Sequence, residues 1–532
     1  MSLVKKFATV GGATSISRVA GFVREALIGA ALGAGPVADA FYAAFRFPNL
    51  FRRLFAEGAF NTAFIPLFAK ELEGGGEDAA RRFAEQVLAV LVTWLLLLSA
   101  LAMLFMPLLV AWVIAPGFTE DPDKFDLTVA MTRIMFPYLF CMSLVAMLSG
   151  ILNSMRRYFV AAFVPVLLNL ILIGVLAIGL YADIGERRTG LWMSWGVFAS
   201  GIAQLFFLLW GVRRQGFSLS LRLPVFTPAV KRLLVLMGPA LLTGGVTQIN
   251  LLVGQMIASA QEGAISLLNY ADRINQLPLG IIGIAVGVVL LPELARALKA
   301  GDHEDAQHLQ NRSLEFALGL TLPSAVGFVL FAGPLVNLLY ERGAFTAETT
   351  ALTAAALSAF AVGLPAYVLI KVFSPAYFAR LDMKSPMWFS AIAVVVNIVA
   401  SLLLFPFYGH VGIAVATSIS AWLNFALLAA VLWQRGDFRP SATTLRRVAM
   451  IVMASAAMGV AVLVLDYLFA AWLAAPSLLV RLGAVLAVIG IAAVIYFAIV
   501  IATGAVDKGQ LLGVFRRRRK TAGAAPATPL DP

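Results

Sequence analysis

Charge is scarce in this chain of 532 residues: Asp, Glu, Lys and Arg make up 13% of it, against 61% hydrophobic residues. So little charge cannot cover a water-facing surface, and the mean hydropathy of +0.91 excludes an ordinary soluble domain. Cysteine is nearly absent. Cys141 stands alone, so no internal disulfide can form, and it reads as a small core residue. Histidine is almost as rare: His303, His308 and His410 fall in loops or at helix ends without ligand-spaced carboxylate or cysteine partners, which argues against a metal site. Catalytic constellations are missing too, and short loops on one side leave no room for a catalytic domain. The alternation of a membrane β-barrel is also lacking. Residues 87–113 and 485–501 are instead continuously apolar, long enough for a helix of about 20 residues to span a bilayer.

What the chain has in abundance is apolar runs. With their breakers they predict an all-α polytopic membrane protein of about fourteen transmembrane helices, near 7–33, 37–68, 84–114, 127–152, 158–181, 190–211, 233–259, 264–294, 313–331, 348–370, 387–404, 411–432, 448–466 and 482–502. An even count puts both termini on one side. Loops and tails on that side hold 28 Lys and Arg, the opposite loops 5, so both termini are expected in the cytoplasm. No signal peptide is expected, because Arg18 breaks the first apolar run. The net charge of +12 is assigned to basic loops facing anionic phospholipids, not to nucleic acid. The basic, Ala/Pro-rich tail 511–532 is expected to be disordered.

The remaining seven basic residues fall inside predicted spans, and all are arginine: Arg18, Arg24, Arg46, Arg52, Arg53, Arg133 and Arg273. An arginine at the bilayer centre costs about 2.5–3.5 kcal/mol even on the lenient insertion scale, so these side chains must meet water, partners or an anion. Arg133 is close enough to a helix end to snorkel. Glu25, Asp39, Glu57 and Asp272 are available as partners, and structural ion pairing competes with ligand binding as their explanation. Asp39, Arg46, Arg53 and Glu57 recur at spacings of 7, 7 and 4 and form one polar stripe with Arg52 beside it; Arg18 and Glu25 share a face. Even after local pairing, positive charge is left over, which predicts a cationic cavity inside a helical bundle.

The chain also repeats itself. Residues 43–72 resemble residues 270–298, with Arg46 opposite Arg273 and Pro66 opposite Pro292; further on, Pro137 answers Pro365 and Asn169 answers Asn397, both at an offset of 228. These matches predict an N-terminal six-helix lobe, 1–222, and a C-terminal six-helix lobe, 223–440, related by a parallel repeat. Two additional helices, 441–510, and the tail, 511–532, follow. A site between such lobes near the midplane is the usual transporter arrangement.

The segment SRVAGFVREALIGAALGAGPVADAFYAAFRFPNLFRRLFAEGAFNTAFIP, residues 17–66, resembles the start of the MurJ (MviN) family of the MOP exporter superfamily. The signature joins Ser17-Arg18, Arg24, Asp39-Ala40-Phe41, Pro48-Asn49-Leu50, Arg52-Arg53 and Glu57-Gly58-Ala59-Phe60, and Tyr270-Ala271-Asp272-Arg273 with Leu291-Pro292 reinforces it. The resemblance implies a lipid II flippase, not an enzyme, in the bacterial cytoplasmic (inner) membrane, serving peptidoglycan assembly. It implies headgroup binding by Arg18, Arg24, Arg52 and Arg273, and cavity or gate roles for Glu25, Asp39, Arg46, Arg53, Glu57 and Asp272. Glu25 stands where the family often has aspartate. The last two helices would form a groove for the prenyl tail, and other cell-wall synthesis proteins are candidate partners.

Arginine suits such a cargo because its planar fork matches pyrophosphate and carboxylate bidentately. The expected mechanism is alternating access, driven by membrane potential or a coupling ion, with no cofactor. Asn397 and Ser401 share a face but bring no carboxylate, so no ion site is assigned. Three alternatives remain: an exporter of another lipid-linked oligosaccharide, a MATE-type antiporter, which would want an acidic cavity, and a polyprenyl-phosphate enzyme, which would need a catalytic acid, base or metal.

Overall fold

The computed structural model describes residues 3–54 and 60–505, and the side chains of all of these except 3–10, 240, 242, 243, 247 and 281–289. Glu57 and the tail 511–532 lie outside the described residues. Among the described residues every regular element is helical, and they group into two compact units that interleave along the chain.

The first unit comprises residues 1–272, 339–356 and 390–416. It contains α1 (Leu3–Leu32), α2 (Pro36–Phe51), α3 (Phe60–Leu104), the short α4 (Met106–Leu109), α5 (Pro122–Met135), α6 (Tyr138–Ser154), α7 (Tyr158–Tyr181), α8 (Glu186–Arg213) and α9 (Pro228–Ala258). It also holds the first turns of α10 (Ala264–Lys299). Local chemistry sets the starts: Pro36, Pro122 and Pro228 each open a helix, where a missing N–H costs nothing. Asp121 caps α5 by accepting from the Lys124 N–H at 3.1 Å. Helix α3 is broken at Gly76, whose φ of 74° is outside helical space, so the long stretch is two helices meeting at the Gly74-Gly75-Gly76 run. In this unit α1 packs along α7, α7 along α8, α2 on α5, and α3 on both α6 and α9.

The backbone at the end of α1 is pressed against the loop before residue 347. The Ala344 N–H donates to the Ala30 carbonyl at 2.9 Å. Gly33 and Gly343 both have positive φ, and a Cβ on Gly343 would strike the Ala30 carbonyl, so only glycine fits there. Buried aromatic rings fill the space behind: Tyr270 meets Tyr42, Tyr340 and Phe345 with centroids 5.6, 5.1 and 5.3 Å apart. The Tyr270 hydroxyl donates to the Gly33 carbonyl at 2.8 Å.

The second unit comprises residues 273–338, 357–389 and 417–532. It contains most of α10, α11 (His303–Leu330), α12 (Ala332–Tyr340), the later parts of α13 (Ala347–Phe378) and α15 (His410–Gln434), and α16 (Ala442–Leu473) and α17 (Leu478–Ala502); α14 (Lys384–Tyr408) is shared. One core gathers Val368, Phe373, Tyr377, Leu428, Leu432 and Phe438, and another joins Ile451, Met458, Val488 and Tyr496 where α11, α16 and α17 meet.

Among the described residues ten helical stretches are long and apolar enough to cross a membrane, and eleven if Pro228–Pro239 and Gly244–Ala258, bent by 53°, form one span. Of the other three predicted spans, 7–33 and 264–294 overlap α1 and α10, while 37–68 begins with α2 and runs past its end at Phe51 into α3, which starts at Phe60. Helices α1, α2 and α10 carry Arg18, Arg24, Glu25, Asp39, Arg46, Asp272 and Arg273.

Candidate functional site

Arg24 is anchored on two sides. It is 7% exposed, and its Nη1 donates to Asn169 Oδ1 at 2.9 Å while Nη2 donates to Glu25 Oε1 at 2.5 Å. Glu25, 2% exposed, also accepts from the Tyr42 hydroxyl at 2.7 Å. Asn169 in turn gives its Nδ2 hydrogen to the Ser17 carbonyl at 3.0 Å. Because α7 lies along α1, one amide fixes the guanidinium from its oxygen end and the α1 backbone from its nitrogen end. Tyr42 and Asn169 are contributors that the sequence reading did not assign to the site. Asn169 had been marked by its repeat position alone, and a sequence separation of 145 residues concealed its contact with Arg24.

Asp39 is held in a separate node. It is fully buried, and its carboxylate accepts from Lys124 Nζ at 2.9 Å, the Gly263 N–H at 2.7 Å, and the Ser266 N–H and hydroxyl at 2.9 and 2.8 Å. The carboxylate thus caps the start of α10 and ties it to the starts of α2 and α5. Lys124 is 6% exposed, with its ammonium 4.1 Å from the Phe118 ring centroid. Sequence reading placed Lys124 in a loop and counted Asp39 as a partner for arginine. The missed signal is Asp121-Pro122, which starts α5 at 122, five residues before the predicted 127, and turns Lys124 into a helical, buried residue.

The other sequence-predicted residues are distributed as follows. Arg46 is half-buried on α2, in the electrostatic field of Asp272 and Arg53. Arg52, half-buried, donates from Nε to Asn49 Oδ1 at 2.8 Å. Arg53 and Arg18 are exposed. Arg273 is half-buried on the part of α10 that belongs to the second unit. Arg133 is exposed and donates to the Met103 carbonyl at 3.1 Å. Glu57 lies outside the described residues. Of the four acids considered as partners for these arginines, Asp39 is taken by Lys124. Glu25 is paired with Arg24, and Asp272 acts on Arg46, so α1, α2 and the π-helical residues 52–54 together carry five arginines against the two acids Glu25 and Asp39. Such a surplus favours an anionic ligand with several acceptor oxygens. No group of three or more His, Cys, Asp or Glu residues able to hold a metal occurs among the described residues.

A family model described as lipid II flippase MurJ matches residues 28–512. A probable lipid II flippase MurJ of Rhizobium tropici is 53% identical over 529 residues, covering 99% of this chain and 98% of the relative. A lipid II flippase MurJ of Burkholderia cenocepacia is 35% identical over 451 residues, covering 84% of this chain and 87% of the relative. Among solved structures, a lipid II flippase MurJ in an inward closed conformation is similar with a TM-score of 0.76 and 25% identity, covering 94% of this chain and 99% of that one. A MATE family multidrug transporter of the MOP superfamily is similar in fold, with a TM-score of 0.62, 14% identity, and coverage of 79% of this chain and 95% of that one.

Proposed function

We propose a function from the premise that this chain belongs to the lipid II flippase MurJ family: it moves lipid II across the membrane as a transporter, not an enzyme. The cargo, an undecaprenyl-pyrophosphate-linked disaccharide pentapeptide, passes from the inner to the outer leaflet of the bacterial cytoplasmic membrane for peptidoglycan assembly. Both termini are assigned to the cytoplasm by the excess of basic residues in the loops on their side.

The observation that carries this reading is the surplus of arginine on α1 and α2, with Asp39 already engaged by Lys124. Arg18, Arg24 and Arg52 of the first unit take the pyrophosphate and the peptide carboxylates. Arg24 must exchange Glu25 for phosphate oxygens to do so, and Asn169 keeps its guanidinium oriented during the exchange. Arg46, Arg53, Asp272 and Glu57 tune the local field, and Asp39 acts at the gate by tying three helix starts together. Alternating access completes the cycle. Membrane potential supplies its direction, acting on fixed or bound charge at about 2.3 kcal/mol per elementary charge per 100 mV. A cation antiporter would need the opposite sign of charge on these helices.

The test is depletion of the protein in its host, followed by exposure to a pyrophosphate-cleaving toxin confined to the outer face. Lipid II that accumulates and stays protected is the expected result. Unchanged cleavage, in a host without a second flippase, would contradict the assignment.

A further inference from the structure

Residues 217–227, which join α8 to α9, form neither helix nor strand. They are nevertheless fixed in place. Phe217 is buried, its ring 5.8 Å from that of Phe68 and 5.6 Å below the Arg81 guanidinium. Glu85 of α3, 2% exposed, accepts the Ser220 N–H at 3.0 Å and pairs with Arg222 Nε at 2.6 Å. The Thr227 hydroxyl donates to Gln86 Oε1 at 2.9 Å. The Ser220 N–H, the Arg222 guanidinium and the Thr227 hydroxyl therefore reach α3, while four apolar side chains between residues 220 and 227 are left open: Leu221, Leu223, Val225 and Phe226 are 67, 85, 56 and 52% exposed.

A segment arranged in this way is inside-out for water. Its two ends lead into α8 and α9, and its anchors on α3 hold it to the protein. Charge completes the picture. Arg213, Arg214, Arg222, Lys231 and Arg232 flank or interrupt the apolar side chains, all five are exposed, and no acidic residue occurs between Glu186 and Glu262. Basic residues beside exposed aliphatic and aromatic side chains are the composition of an interfacial segment on an anionic bilayer.

We infer that residues 217–227 form an anionic-lipid-binding strap, with Leu221, Leu223, Val225 and Phe226 set into the headgroup–acyl boundary and the five basic residues on lipid phosphates. Arg222 then stands between two anions, Glu85 on the protein and phosphate in the bilayer, and its 59% side-chain exposure leaves it open to the second. Lipid charge thereby bears directly on how firmly the connection between α8 and α9 is held to α3.

The test uses the full chain with the sole cysteine removed (C141A) and an environment-sensitive fluorophore on L223C. D78C serves as the aqueous reference, since the Asp78 side chain is 86% exposed. Both are placed in nanodiscs of phosphatidylcholine with or without phosphatidylglycerol. The expected result is that the probe at 223 is quenched by a shallow spin-labelled lipid and shielded from iodide, while the probe at 78 does the reverse. Phosphatidylglycerol should strengthen the shielding, and R213Q/R214Q/R222Q should remove that increment at about fivefold in lipid affinity per charge. A probe at 223 that behaves like the one at 78 would overturn the strap and return this surface to water or a protein partner. Equal shielding in both lipid compositions would overturn its preference for anionic lipid. In cysteine-intact protein, the thermal midpoint should rise with phosphatidylglycerol content only while the three arginines are present; a rise that survives their removal counts against the strap.

Discussion

Asn169 and Asn397 stand 228 positions apart in the sequence, each 5% exposed within an apolar helix and each bonded to an earlier helix, yet they hold different things. Asn169 receives the Arg24 guanidinium at 2.9 Å and grips the α1 backbone. Asn397 donates to the Asn250 amide at 2.8 Å, a neutral pair between α14 and α9. The chemistry of the two amides is the same; the charge of what they hold differs. An amide that orients a guanidinium prepares it for an anion, whereas a neutral amide pair ties two helices, with interhelical bonds in membranes averaging about 0.6 kcal/mol and reaching about 1.7. Under the proposed function, anion handling falls on α1, α2 and α7, and the α9–α14 pair serves as scaffold.

The strongest way to break this comparison is at Arg24. R24A leaves Glu25 buried with the Tyr42 hydroxyl as its described side-chain partner, and should cost about 3–5 kcal/mol of stability as well as transport. R24M/E25M removes both charges; it should recover most of the thermal stability and none of the transport in a depletion-complementation assay. Recovery of transport by that pair would make Arg24 a structural residue. K124M ranks next. It leaves fully buried Asp39 with the Gly263 and Ser266 donors but no counter-charge, a loss of about 3 kcal/mol, which K124M/D39N should partly repair in thermal unfolding.

The two asparagines are then compared directly. N169A removes a bond to a charged group and should cost about 1.5–3 kcal/mol together with lipid II binding. N397A should stay within about 1.7 kcal/mol and leave binding intact. The smallest effect lies far from both nodes, in the loop between α13 and α14. There Asp382 accepts from the Ser385 hydroxyl and N–H at 2.7 and 3.0 Å and from Arg435 at 2.8 Å, which lowers its pKa from 3.8 to about 2. A depressed carboxylate contributes stability above its unfolded value and loses it as pH falls through the folded one. Unfolding followed from pH 5 to pH 2 should therefore show a shallow decline that D382N flattens, because both partners of Asp382 are partly exposed.

Much of this was legible in the sequence because lipid penalises charge so heavily. Arg18, Arg24, Arg46, Arg52 and Arg53 marked a candidate site by their presence in otherwise apolar stretches, and the signature in residues 17–66 pointed to the family to which the chain belongs. What could not be read were the partners brought in from a distance. Asn169 reaches Arg24 from 145 residues away, and Lys124 reaches Asp39 from 85. The helical projection put Asp39 on one stripe with Arg46 and Arg53, but a carboxylate at the first turn of a helix is also near other helix starts, and four donors there claimed it. Gly76 shows the same limit in the fold: three consecutive glycines are a visible break, while the direction of the chain beyond them is not written in those residues.

Binding of lipid II to purified protein in nanodiscs, read by native mass spectrometry, tests the central claim most directly when R24M/E25M is set beside N250L/N397L. The account predicts that R24M/E25M lowers lipid II affinity by about tenfold or more, the worth of one charge-assisted contact, while N250L/N397L binds as the parent protein does. Equal losses in both variants, or an R24M/E25M protein that retains full affinity, would contradict it.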